Sequence, residues 1–312
     1  VGRPGKTLGG AQAAARREVL IGTVCAFATV AIWTGFILIS RASVGSRSLL
    51  PTDLAALRFG VASAVMLPVL LWRLRTRHSL SAAMGGMTAL QILTVAMFAG
   101  LGFGLFAFTA FVFAPVAHAG VLMPGALPFS TALIAWLVLR ERIAGMRAIG
   151  LALILAGIVT IGYGSLVVDR RSLIGDALFL SASTCWAVFV VFARKWQIRP
   201  VEATIALAVG AALIYLPIYA LLLPKKIAEA PVWEVIGQGA YQGLLSVVAS
   251  TLVYTRVLMT FGPTKTAMLT AVVPGLAAIL AVPLLGEPLM AAAVIGLVLV
   301  TMGMIVGVLR AR

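Results

Sequence analysis

Few residues in this chain are equipped for chemistry, and most of those stand alone in apolar sequence. There are two histidines, two cysteines and nine acids among 312 residues. His118 is the only histidine inside an apolar run (PVAHAGVLMPGALPF). An imidazole titrates near neutral pH, so His118 could carry a proton or touch cargo; the alternative is a structural imidazole, hydrated or bonded to a carbonyl. Arg58 follows Thr52 by six residues, which places it ~9 Å into a helix. An unpaired guanidinium at mid-bilayer costs ~2.5–3.5 kcal/mol, so Arg58 serves either a carboxylate-bearing cargo or a structural role. Asp53, five residues away, is not at the i, i+4 spacing of a helical ion pair. Glu141 and Glu287 are candidate coupling carboxylates. Both, however, close an apolar run, and Glu141 stands between Arg140 and Arg142. A carboxylate there stabilises the start of the next helix. No acid is expected deep inside a helix; Asp176 falls near a helix start.

Cys25 and Cys185 are isolated, with neither metal spacing nor a disulfide framework. With His78 in a loop, no nucleophile–base pair or metal cluster can be assembled. An intramembrane enzyme is therefore disfavoured, and no cofactor or metal is expected. No GxxxxGK[ST] loop points to ATP as a direct energy source.

Composition then fixes the solvent. Hydrophobic residues make up 62% and charged residues 11% of the chain, against roughly 45–50% and 25% in soluble domains. Mean hydropathy is +1.11. So much apolar surface needs lipid. The net charge of +15 is carried by short basic clusters between apolar runs, which is the pattern of membrane-protein loops rather than of a nucleic-acid surface. Lipid and a small-molecule substrate are the expected partners, nucleic acid is not, and the oligomeric state is not specified. The first apolar run lacks a small-residue cleavage site and many more follow, so it is not a removed signal peptide. Residues 1–18 form a polar N-terminal segment.

Ten runs long enough to span a bilayer core follow, at 19–40, 52–72, 87–112, 116–139, 145–164, 174–193, 201–223, 235–257, 265–285 and 289–309. Helices are the only open-ended structure that satisfies its own backbone in lipid. Seventeen of the 24 basic residues fall on the side of the N-terminus, six on the other, and Arg58 lies within a helix. The excess predicts both termini in the cytoplasm of a bacterial inner-membrane protein.

The runs repeat. PFSTALIAWLVLRERIAGMRAIGLALILAG (128–157) matches PGLAAILAVPLLGEPLMAAAVIGLVLVTMG (274–303) at an offset of 146, with Pro128 on Pro274, Glu141 on Glu287, Gly150 on Gly296 and Gly157 on Gly303. At an offset of 153, Gly22, Trp33, Phe36 and Arg41 fall on Gly175, Trp186, Phe189 and Arg194. Aligning Ala114-Pro115 with Gly262-Pro263 sets Phe106 opposite Tyr254, with two residues of slippage left over. Residues 19–164 and 174–309 are thus two copies of one unit. Five helices per copy is an odd number, so the second copy is inverted. The fold predicted is an all-α membrane protein of ten transmembrane helices, two inverted five-helix repeats around a central cavity.

These motifs resemble the EamA-type drug/metabolite transporter superfamily: a Gly-then-Trp first helix, Arg58 in the second, a Gly-Pro entry to the fourth or ninth, and Pro followed thirteen residues later by Glu. The likeness covers 19–309, and bacterial exporters of aromatic amino acids are nearest in length and layout. Inverted repeats put their site near the midplane, where helices are broken by Gly or Pro. The fourth run carries Pro124 and Pro128, the ninth Pro274, read as structural kinks that mark the cavity. By the resemblance, Trp33, Trp186 and Thr270 face substrate, with Phe106, Met123, Tyr254 and His118 as further candidates; core packing is the alternative for both tryptophans. Arg58, Pro124, Pro128, Pro274, Glu141 and Glu287 are structural or gating residues. The expected function is secondary transport by alternating access, exporting amino acids, including aromatic or apolar ones. Purines, sugars and lipophilic cations are the alternative cargoes.

Overall fold

The structure is a computed structural model that describes residues 5–141, 143 and 145–309. Arg3, Arg142, Arg310 and Arg312, counted above among the basic residues, lie outside the described residues, as does the start of the polar N-terminal segment. Among the described residues ten helices run through the structure: α1 (Gly5–Ser46), α2 (Pro51–Arg77), α3 (Ala89–Ala110), α4 (Val116–Leu139), α5 (Met146–Val168), α6 (Ser172–Lys195), α7 (Pro200–Leu222), α8 (Val232–Gly262), α9 (Lys265–Leu285) and α10 (Ala291–Leu309). The last has 19 residues, or roughly 28 Å at helical rise, enough for the hydrocarbon core of a bilayer. Large apolar side chains such as Phe27, Trp72, Leu221 and Trp233 point outward, as lipid-facing helices require. The polar N-terminal segment is not separate from the first span: α1 already runs from Gly5, because Ala11–Arg17 are strong helix formers.

The repeat matches explain themselves in the packing. A Cβ on Gly150 would lie 2.6 Å from the Gly303 oxygen and 2.6 Å from the Gly307 Cα; one on Gly157 would lie 2.7 Å from the Gly296 oxygen. Helices α5 and α10 therefore cross antiparallel with backbones touching, Gly150 on Gly303 and Gly157 on Gly296. Under the repeat, Gly150 corresponds to Gly296 and Gly157 to Gly303, so the two contacts exchange. That is the mark of a pseudo-twofold axis in the membrane plane, and the repeats are inverted.

The other helix pairs follow the same rule. Gly22 of α1 closes on Thr260 of α8, and its match Gly175 of α6 closes on Ala114 at the end of α3. Asp53 near the start of α2 accepts from Tyr219 of α7 at 2.6 Å. Glu202 near the start of α7 pairs with Arg73 of α2 at 2.9 Å. Each repeat thus lends its first two helices to the other.

Four spans leave the α-helical register. Wide π turns occupy Ala96–Gly102 in α3, Val121–Gly125 in α4, Ala206–Gly210 in α7 and Ala240–Ala249 in α8. Each releases backbone groups and rotates the residues beyond it. Helix α4 then restarts at Leu127, with Pro128 in its first turn, where the missing N–H costs nothing. Helix α9 turns at Ala271 and restarts at Val272, two residues before Pro274. Between α8 and α9, Gly262 adopts φ +75° and ψ 170°, a conformation closed to other residues.

Candidate functional site

Arg58 ends up in the middle of the molecule, 2% exposed. Its guanidinium lies 5.5 Å from the Phe36 ring centroid and 5.6 Å from that of Phe103. Nη1 donates to Ser246 Oγ at 2.8 Å and reaches the Gln242 carbonyl at 3.5 Å. No carboxylate pairs with it among the described residues, and its Nε has no hydrogen-bond partner. Asp53 is engaged elsewhere, by Tyr219 and by the backbone N–H of Leu50 that it caps. The Gln242 Oε1 and Thr34 Oγ1 atoms are likewise buried without partners. A buried guanidinium without a counter-charge is unusual, because desolvation is repaid only by pairing.

Phe103 begins a run of ring contacts. Phe103 packs on Trp186 with centroids 5.1 Å apart, and Trp186 packs on Phe189 at 5.2 Å. Trp33 stacks on Tyr254 at 5.3 Å and donates its indole N–H to Ser250 Oγ at 2.9 Å. The two repeat-related tryptophans thus each meet a ring on the third helix of the opposite half. Phe106 does not: it is 37% exposed, and Phe103, one turn earlier, takes its place.

The remaining sequence candidates are placed as follows. Met123 is buried in the π turn of α4, and its freed carbonyl accepts from Ser183 Oγ of α6 at 3.0 Å. Thr270 bonds back to Thr266 and Ala267 of its own helix. His118 is away from these rings; Nδ1 lies 2.7 Å from Asp176 Oδ1, while Ser165 Oγ donates to Oδ2 of the same carboxylate. Asp176 stands near a helix start, as expected, but a helix start here is not an exposed place. Asp53, Asp176 and Glu202 are all buried, each in the first turns of a helix whose end is covered by neighbours. The rarity of acids in the sequence was the available signal.

Glu141 and Glu287 do not simply support the helices that follow them. Glu287 accepts from Arg41 of α1 at 2.5 Å and from the Val116 N–H, the start of α4, at 2.7 Å. Glu141 pairs with Arg194 of α6 at 2.6 Å. Arg41 and Arg194 are repeat mates, so these are exchange-related ion pairs between the halves, one on each face of the molecule. They differ in burial: side-chain exposure is 25% and 16% for Arg41 and Glu287, but 52% and 37% for Arg194 and Glu141. Above the buried pair a cavity of about 460 Å³ opens to the face away from the termini, lined by Arg41, Arg47, Arg171 and Lys226 with Asp169.

Removing the acid from each pair should have unequal effects. Glu287→Ala leaves Arg41 and a helix N-terminus unpaired and is expected to cost about 2 kcal/mol or more. Glu141→Ala, at an exposed pair, is expected to cost less than about 1 kcal/mol. Thermal melts of the two purified variants check this; equal shifts would count against it.

The comparisons with known proteins agree with this architecture. The model of the EamA-like transporter family matches residues 20–163 and again 173–309. The uncharacterized transporter YyaM of Bacillus subtilis (strain 168) is 25% identical over 272 residues, covering 83% of this chain and 86% of that protein. One crystal structure superposes with a TM-score of 0.60 at 22% identity, over 93% of this chain and 98% of its own, which bears on the fold alone.

Proposed function

We propose that this chain, which belongs to the EamA-like transporter family and is a membrane transporter, exports amino acids with aromatic or apolar side chains across a bacterial inner membrane. The single observation behind that cargo is Arg58, buried without a carboxylate and walled by Phe36 and Phe103. A cargo carboxylate supplies the missing counter-charge in a bidentate pair. Its ring or aliphatic side chain packs against Trp33, Trp186 and Tyr254. Without an acid beside Arg58 to hold an ammonium, the cargo amine relies on ring faces and hydroxyls.

Movement follows from the pseudo-twofold axis. The Arg41–Glu287 and Arg194–Glu141 pairs open in turn, each exposing the central site to one face, with Glu141 on the cytoplasmic side together with both termini. The two halves are residues 19–164 and 174–309. A transporter does not need bond chemistry, and nothing in this reading calls for an enzyme.

Uptake of radiolabelled tryptophan, phenylalanine and leucine into liposomes holding the purified protein tests the cargo. Saturable uptake is expected, falling on the order of tenfold in Trp33→Ala and Trp186→Ala, as the loss of a ring contact of about 1.4 kcal/mol implies. Thr270→Ala is expected to weaken it less. Absence of saturable uptake for every amino acid would sink the cargo and turn attention to purines, sugars and lipophilic cations.

A further inference from the structure

We propose that His118, Asp176 and Ser165 form a proton-binding site through which a pH gradient drives the transport cycle. The proposal rests on the chain being a transporter but not on its cargo. The three side chains come from α4, α6 and α5, and all three residues are buried. Both oxygens of Asp176 are occupied, Oδ1 by His118 Nδ1 at 2.7 Å and Oδ2 by the Ser165 hydroxyl. With Asp176 as a carboxylate accepting on both oxygens, Nδ1 carries the hydrogen bonded to Oδ1 in either charge state of the ring. The proton that comes and goes is therefore the one on Nε2. The site gains it from water and returns it to water; only an N–H bond forms and breaks.

The surroundings make that proton matter. The segment Val116–Gly120 packs against α1, α6, α9 and α10. Helix α10 offers no ionisable group, and α9 only Lys265 at its far end. Helix α6 contributes Asp176 itself, then Cys185, Arg194 and Lys195 more than two turns further on. Helix α1 contributes Arg41, which Glu287 already neutralises; its Arg16, Arg17, Glu18 and Cys25 lie toward the other end. Helix α5 carries Tyr163 near Ser165 in sequence and Arg147 at its far end. Asp169 and Arg171 in the α5–α6 connection line the outer cavity, with Arg170 between them.

With the ring neutral, the site holds an uncompensated negative charge in a low-dielectric interior. With Nε2 protonated, it is an ion pair of zero net charge. Protonation thus favours the buried arrangement, and loss of the proton favours one in which water reaches Asp176. The elements that would have to move are the ones it holds. Val116, two residues before His118, is bonded to Glu287 of the other half. Gly120, two residues after it, lies with its Cβ position 3.1 Å from the Pro274 oxygen, where α4 crosses the break in α9. A charge change here biases the contact between the repeats, which is what coupling requires.

The chain has only two histidines, so a His78→Gln background leaves His118 as a single ¹⁵N-histidine signal. In nanodiscs that signal is expected to report gain and loss of the Nε2 proton as the bath is changed, and to respond differently in Asp176→Asn, where the carboxylate charge is gone. In liposomes, with radiolabelled tryptophan as probe, one proton per cycle lets a gradient of one pH unit sustain about a tenfold cargo ratio. That stimulation is expected to vanish in His118→Gln and Asp176→Asn while exchange without a gradient persists, which also reports that the variants are folded. A His118 signal that stays constant with pH, or gradient stimulation that survives in His118→Gln, would overturn the proposal. If tryptophan is not carried at all, the cargo reading fails and the titration alone decides the proton site.

Discussion

Gly150→Leu is expected to leave little folded protein, whereas Gly162→Leu on the same helix should behave as the parent does. At Gly150 the three atoms nearest an added Cβ are all backbone: the Gly303 oxygen and the Gly307 nitrogen and Cα, each at 2.6 Å. Backbone cannot rotate aside as a side chain can, so α5 and α10 must separate along their whole crossing. Overpacking of this kind costs 1–3 kcal/mol in soluble cores and occasionally more. In lipid the penalty is harder to offset, since close van der Waals approach through small residues is the main force holding such helices together. At Gly162 nothing lies within 4 Å of the added carbon. Yield and melting temperature in detergent give the comparison directly. Equal behaviour of the two variants would mean that the α5–α10 contact does not hold the halves together.

Arg58→Met should separate function from stability. The variant removes a buried charge that no acid balances, so the melting temperature is expected to hold or rise. If the guanidinium meets the cargo carboxylate, tryptophan uptake at low concentration should fall on the order of 100-fold, the loss expected for one partner of a buried charged pair. Arg58→Lys should recover only part of it, because an ammonium cannot lie flat between Phe36 and Phe103 while pairing with a carboxylate. A destabilised Arg58→Met protein with normal uptake per folded molecule would assign Arg58 to the scaffold instead.

Much of this architecture was legible in the sequence, and for physical reasons. Lipid demands long apolar helices, so the ten spans read directly from composition. Close helix contacts demand Gly, so Gly150, Gly157, Gly296 and Gly303 survived in both copies as visible punctuation. Trp33 and Trp186 stood out because they sit mid-helix rather than at the interfaces where Trp normally concentrates. What did not show was anything that depends on rotation about a helix axis. Phe103, rather than Phe106, is the ring that meets Trp186, and no residue type announces the π turn that precedes it. Buried pairs between distant helices were equally silent. Asp176 looked like a residue near a helix start until His118 and Ser165 were folded onto it, and Glu287 looked like support for α10 until it was found on Arg41 and Val116.

The unequal burial of the two exchange-related ion pairs carries a thermodynamic meaning. Two identical halves would have two end states of equal free energy, mirror versions of one another, and the chain would idle between them. Every position at which the repeats differ is then a weight on one side of that balance. Val116 donating to Glu287, with Glu141 holding only Arg194 among the described residues, is one such weight, and on the proposed cycle it would favour closure on the face away from the termini. The direction in which an empty carrier rests is thus written in the differences between its halves, while the fold itself is written in what they share.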